Sequence, residues 1–358
     1  MLAVHPHFQT LRRLGLANHA TLTTSAVSPV VGAELRHARA AVDWLLQAQA
    51  ATRSPAVSAG YFPENATLPG WGPFDLTATA SSALAFLTYT AEVVDPTART
   101  SALDMVTWLG RTALGLQPGD HRIPGLDWML SGLTGAYAVT RQPATLEAAR
   151  HVVEIVSAHS PMAAGTTPSH DGRLAWALAS YSQLACEPAV AALASLVADR
   201  AVERMPAASL PSSDRGRTTR GDQLRGVLEA SAVLGRPDLA AAAASGLARA
   251  ARDGELDPLS RDRAGAPVDR PVSSLDRLDL AVVAFRLAEL GIDLTFLDAA
   301  HRAVDHAKGL QILERVPLEV RGAVPDVAPF VAGQPLGWSA MAAGRLVEAL
   351  VLQRRATR

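Results

Sequence analysis

The chain has 358 residues, 49% of them hydrophobic, which is enough to bury a large core, and no shift in composition marks a domain boundary. Its 33 basic and 34 acidic residues nearly cancel, which argues against a nucleic-acid partner, because phosphate binding needs a concentrated positive field. The single cysteine, Cys186, excludes intramolecular disulfides and cysteine-rich metal sites; with no apolar run as long as a signal core or a membrane span, a soluble cytoplasmic protein is expected.

Residues 1–32 read as an N-terminal extension and residues 33–358 as one domain. Apolar positions at i, i+3, i+4 and i+7 predict twelve helices and no strand. In chain order they run over 33–51, 74–94, 96–114, 125–141, 143–159, 171–184, 187–205, 218–234, 237–253, 273–291, 294–312 and 335–354. Asp95-Pro96, Cys186-Glu187-Pro188 and Gly235-Arg236-Pro237-Asp238 each stop one helix and start the next, with proline where a first helical turn tolerates it. Links that follow an even-numbered helix are mostly two or three residues. Links that precede one are long: 52–73, 116–124, 160–170, 206–217, 254–272 and 313–334. Long loops in a compact domain usually carry function, so the rim on which the even helices begin is the decorated one.

An aspartate stands at or just inside the start of five even helices: Asp75, Asp127, Asp171, Asp222 and Asp276, at intervals of 52, 44, 51 and 54 residues. The sixth start, Leu336-Gly337-Trp338, has a tryptophan instead. Six repeated helical hairpins can close into a ring with the even helices inside, where small residues such as Ala78, Ala80, Ser81, Ser82 and Ala83 permit close helix approach. The expected fold is therefore all-α, an (α/α)6 barrel, or toroid, with inner and outer rings.

The segments Gly70-Trp71-Gly72-Pro73-Phe74, Asp222-Gln223-Leu224-Arg225-Gly226-Val227-Leu228-Glu229-Ala230, Val320-Arg321-Gly322-Ala323-Val324-Pro325 and Gly337-Trp338-Ser339-Ala340 resemble those of bacterial (α/α)6-toroid, six-hairpin glycosidase-like proteins of polysaccharide biosynthesis. More distantly, the chain resembles unsaturated glucuronyl hydrolases and sugar 2-epimerases. The resemblance implies an acid/base pair on neighbouring inner helices, carried here by Asp75 and Asp127. Helix capping is the plainer role for any of these aspartates, since a side-chain carboxylate there accepts from orphan N–H groups and suits the positive end of the dipole. Asp222 and the cluster His170-Asp171-Gly172-Arg173 are further catalytic candidates, with His170 as a proton shuttle.

Trp71, Trp128, Trp176 and Trp338 lie near even-helix starts, where rings suit the apolar faces of sugars; the other reading is that they plug the barrel. Trp44 and Trp108, on odd helices, read as structural. Arg173, Arg220, Arg225 and Arg277, with Arg122, Arg261, Arg263 and Arg270, offer fork-shaped donors to an anionic ligand, while Arg225 has Asp222 or Glu229 as alternative local partners. Gly-rich phosphate loops, His-Glu-x-x-His, Gly-x-Ser-x-Gly, paired Cys/His spacings and Asp-x-Asp-Asp runs are missing from the sequence, so neither cofactor nor metal is expected. The leading expectation is a carbohydrate-active hydrolase, lyase or epimerase for an anionic sugar unit, its partner a small molecule or oligosaccharide rather than nucleic acid or membrane. The alternatives are a cyclase or tailoring enzyme for a hydrophobic, terpenoid-like product and a noncatalytic exopolysaccharide-pathway scaffold.

Overall fold

The computed structural model describes residues 33–62, 70–117, 125–158, 171–205, 220–258, 272–313, 318–328 and 337–357. The expected extension, 1–32, lies outside them, as do His170, Arg122, Arg261, Arg263 and Arg270. The helices are α1 (Ala33–Thr52), α2 (Leu76–Glu92), α3 (Pro96–Leu114), α4 (Leu126–Thr140), α5 (Pro143–Ala158), α6 (Asp171–Ala185), α7 (Pro188–Arg204), α8 (Arg220–Leu234), α9 (Pro237–Arg252), α10 (Ser274–Glu289), α11 (Leu297–Leu310) and α12 (Ala340–Ala356).

The even helices form a closed inner ring. Each of α2, α4, α6, α8, α10 and α12 packs on the next, and α12 packs back on α2. The outer layer follows hairpin by hairpin, with α3 on α2, α5 on α4, α7 on α6, α9 on α8 and α11 on α10, while α1 lies against α12. The burial patterns explain this division. Outer α9 buries one stripe, Leu239, Ala240, Ala243, Leu247 and Ala250, and turns Arg249 and Arg252 away. Inner α12 is buried nearly all round from Ala340 to Gln353. Among the described residues, no helix is long and apolar enough to cross a membrane.

Inner helices meet backbone to backbone where glycine allows it. A Cβ on Gly226 of α8 would lie 2.1 Å from the Gly172 carbonyl carbon of α6, so any side chain there forces the two helices apart.

The expectation of no strand needs correcting. Among the described residues, five short strands, β1 (Gly60–Phe62), β2 (Gly70–Trp71), β3 (Val272–Ser273), β4 (Val327–Ala328) and β5 (Trp338–Ser339), build two small antiparallel sheets in order β2-β1-β5 and β3-β4. Two or three residues are too few for a period-two pattern to show in sequence. The same pairing shortens the last helix: Trp338 and Ser339 pair with Tyr61 and Gly60, so α12 begins at Ala340 and not near 335. The first sheet thus ties the start of the chain's ring to its end.

Candidate active site

All five repeated aspartates stand at the starts of inner helices, on the rim where the long connections arrive. Neighbouring starts touch. Gly125, left-handed at φ 90°, precedes α4 and abuts Thr77 at the start of α2, so close that a Cβ there would sit 2.6 Å from the Thr77 hydroxyl oxygen. Asp75 and Asp127 flank that contact. Asp75 also caps α2, accepting from the Ala78 N–H at 2.8 Å. Asp127 is buried in the first turn of α4.

The first two turns of α4, α6, α8 and α10 and the middle of α12 gather a buried charged cluster. Arg173 of α6 makes a two-pronged pair with Asp222 of α8, its Nε at 3.2 Å from Oδ2. Arg345 of α12 reaches Asp222 at 3.4 Å, Glu348 at 2.7 Å and Asp279 of α10. Arg225 of α8 grips Glu348 with both terminal nitrogens, one at 2.7 Å. Two rings complete the arrangement. The Arg173 guanidinium lies 3.7 Å from the Trp128 ring centre, and Arg345 lies 5.1 Å from the same ring. Arg173 and Arg225 each stand 5.0 Å from the Trp176 ring.

Burial strips these charges of water, and only their mutual pairing makes that tolerable. Burial by itself raises the Asp222 carboxyl, but Arg173, with Arg345 and Arg225, outweighs it and holds the group below the usual carboxylate range. Glu348 follows the same logic: burial pushes it up, and Arg225 and Arg345 bring it down to about 2. Arg173, in contrast, is lowered, because desolvation exceeds the help it has from Asp222. An acid so firmly ionised as Asp222 does not donate a proton near neutral pH.

Three of the candidates face the outer layer. Asp171 is paired with Arg200 (2.9 Å) and Arg204 (3.1 Å) of α7. Arg220 pairs with Asp253 and Glu255 beyond the end of α9, and it lines a cavity of about 150 Å³ with Met205, Leu224 and Gly246. Arg277 lies 3.4 Å from His306 of α11, whose pKa is held down to about 4 by burial and then by Arg277 itself. Arg225 takes neither of its expected local partners: it pairs with Glu348 of α12, beyond the intervening α10, and Glu229 pairs with Arg286 of α10 at 2.7 Å.

The four rim tryptophans divide into two groups. Trp128 and Trp176 belong to the charged cluster. Trp71 and Trp338 are cross-strand partners of Tyr61, with ring centres 5.4 and 6.2 Å from it, and Trp71 continues to Trp44 at 5.5 Å. Trp44 is buried as expected, its indole N–H donating to the Glu319 carbonyl at 2.8 Å, whereas Trp108 is half-buried with its ring edge-on to Phe74. Sequence reasoning missed Arg345 and Glu348. The available signal was an i, i+3 charge pair inside the otherwise apolar run from Ala340 to Leu352, which no exposed helix face accounts for.

No family model matches the sequence, and no curated protein matches it either. The fold has clear relatives among solved structures. An unsaturated glucuronyl hydrolase specific for heparin superposes with a TM-score of 0.68 at 13% identity, over 91% of this chain and 98% of that one. The unsaturated glucuronyl hydrolase of Bacillus sp. GL1, which degrades glycosaminoglycan, gives 0.66 at 14% identity, over 90% and 98%. Cellobiose 2-epimerase from Bacillus thermoamylovorans B4167 gives 0.62 at 12% identity, over 88% and 97%. At these identities the likeness establishes a shared architecture: the chain folds as the (α/α) toroid of glucuronyl hydrolases and sugar epimerases.

Proposed function

We propose that the protein is a carbohydrate-active enzyme, a hydrolase, lyase or epimerase, acting on an anionic sugar unit with Asp75 and Asp127 as the acid/base pair. The observation that carries this reading is the contact of the α2 and α4 starts through Gly125 and Thr77, which brings two buried carboxyls onto adjacent inner helices of one rim. The shared fold with a glucuronyl hydrolase and a cellobiose epimerase supports it. For an anionic group, Arg173 Nη1, Arg225 Nε and Trp128 Nε1 are buried donors without an acceptor among the described residues, and a carboxylate or sulfate oxygen would satisfy them. The lone exposed thiol of Cys186 suits a reducing compartment, and the cytoplasm is the proposed location.

A noncatalytic scaffold is the second reading, favoured by the mutual neutralisation of the three arginines and three acids at the centre of the ring. Asp127→Asn separates the two. An acid/base enzyme loses turnover of an unsaturated glucuronyl disaccharide or of cellobiose, with melting temperature nearly unchanged, because the amide keeps the shape but cannot cycle a proton. A scaffold shows no turnover in the parent protein and loses at most about 1 kcal/mol of helix-dipole stability in the variant.

A further inference from the structure

Asp326 belongs to none of the helix-start motifs, yet the fold fixes it on the same rim. Its N–H donates to the Gly337 carbonyl (2.9 Å), and its own carbonyl accepts from the Ser274 N–H at the start of α10 (2.9 Å). The carboxyl is thereby held between the starts of α10 and α12. Oδ1 accepts from the Ser339 N–H at 2.8 Å, while the Ser339 hydroxyl caps α12 through Ala342. Oδ2 turns toward Gly337, whose missing side chain leaves room for the Phe62 ring. A Cβ at that glycine would lie 2.7 Å from the ring and 3.1 Å from Oδ2.

What surrounds this carboxyl sets it apart from the acids that pair with arginine. Asp171, Asp222, Asp279 and Glu348 are all locked to guanidinium groups. The charged groups on the elements packed against Asp326 are engaged elsewhere: Asp276 accepts from the Gly221 N–H, Arg277 faces His306, and Arg345 belongs to the central cluster. Asp75 caps α2, and the Tyr61 ring packs between Trp71 and Trp338 on the opposite face of its sheet from Phe62. Among the described residues no cation pairs with Asp326. Burial pushes its pKa up, and the Ser339 bonds offset this only in part.

We propose that Asp326 is the proton donor of this rim and protonates a glycosidic oxygen of a sugar lying against Phe62. The inference rests on the carbohydrate reading above and departs from it in one role: Asp326 is the acid, and Asp75 or Asp127 keeps the part of base. Its proton passes to the glycosidic oxygen as the bond from that oxygen to the anomeric carbon breaks. A water oxygen bonds to that carbon and gives its proton to a second carboxylate, Asp75 or Asp127, and exchange with solvent resets both groups.

The test combines kinetics with a titration that needs no substrate. In wild-type protein carrying ¹³C-labelled aspartate, the Asp326 carboxyl is expected to titrate above the ordinary value of about 3.9. Titration at or below that value overturns the proposal, whether or not any variant folds. With methyl glucuronide and an unsaturated glucuronyl disaccharide as probes, whose poor leaving groups need protonation, Asp326→Asn is expected to lower kcat about 10²- to 10⁴-fold and to remove the alkaline limb of the pH profile, with KM and melting temperature held. Wild-type kcat and an unchanged alkaline limb in the variant overturn this inference alone. A wild-type protein that neither binds nor turns over a saccharide overturns the carbohydrate reading, and this inference with it.

Discussion

Replacing Glu348 by glutamine tests whether the central cluster is an ionised network or merely a crowd of polar side chains. The substitution keeps the volume and one carbonyl acceptor, and removes only the charge that Arg225 and Arg345 share. Glu348 has its pKa lowered from 4.5 to about 2. A difference of that size corresponds to about 3 kcal/mol, which agrees with the roughly 3–5 kcal/mol lost when one partner of a buried ion pair is removed. For a chain of 358 residues, an unfolding entropy of roughly 2.1 cal/mol/K per residue turns that loss into a drop of about 4 °C in Tm at pH 7. Because the folded pKa is depressed, the stabilisation is complete above about pH 4.5 and disappears as pH falls through about 2. Scanning calorimetry of both proteins between pH 7 and pH 2 should show the gap in Tm closing across that window. A gap below about 1 °C at pH 7, or one that does not change with pH, would refute the ionised network.

Asp171→Asn removes the carboxylate that Arg200 and Arg204 share at the α6–α7 junction, so it should cost about 3–5 kcal/mol in thermal or denaturant unfolding while leaving turnover intact; a loss of kcat without a loss of stability would put Asp171 in the chemistry. Gly226→Ala should cost at least about 1–3 kcal/mol, because its Cβ meets the Gly172 backbone at 2.1 Å and only movement of α6 or α8 relieves the overlap. An unchanged melting curve there would mean that the ring is looser than the close approach implies.

The alternation of inner and outer helices could be read from the chain itself, since helical periodicity, proline and glycine punctuation and loop lengths are local properties. The aspartates at 75, 127, 171, 222 and 276 marked the rim for the same reason: helix starts recruit acids locally, whatever the rest of the fold does. Which of those acids face the centre was not local. Asp171 is the first residue of α6 and Asp222 the third of α8, and that offset of two positions turns one outward to Arg200 and the other inward to Arg173. Arg225 and Glu348 are 123 residues apart, and only ring closure makes them neighbours. The division of the tryptophans follows from strands too short to leave a pattern, and Asp326 is placed by hydrogen bonds to Gly337, Ser339 and Ser274 contributed by two other elements. Local sequence determined the hairpins and their orientation, whereas closure of the ring decided which charges meet, because pairing between distant segments depends on the packing of the whole chain.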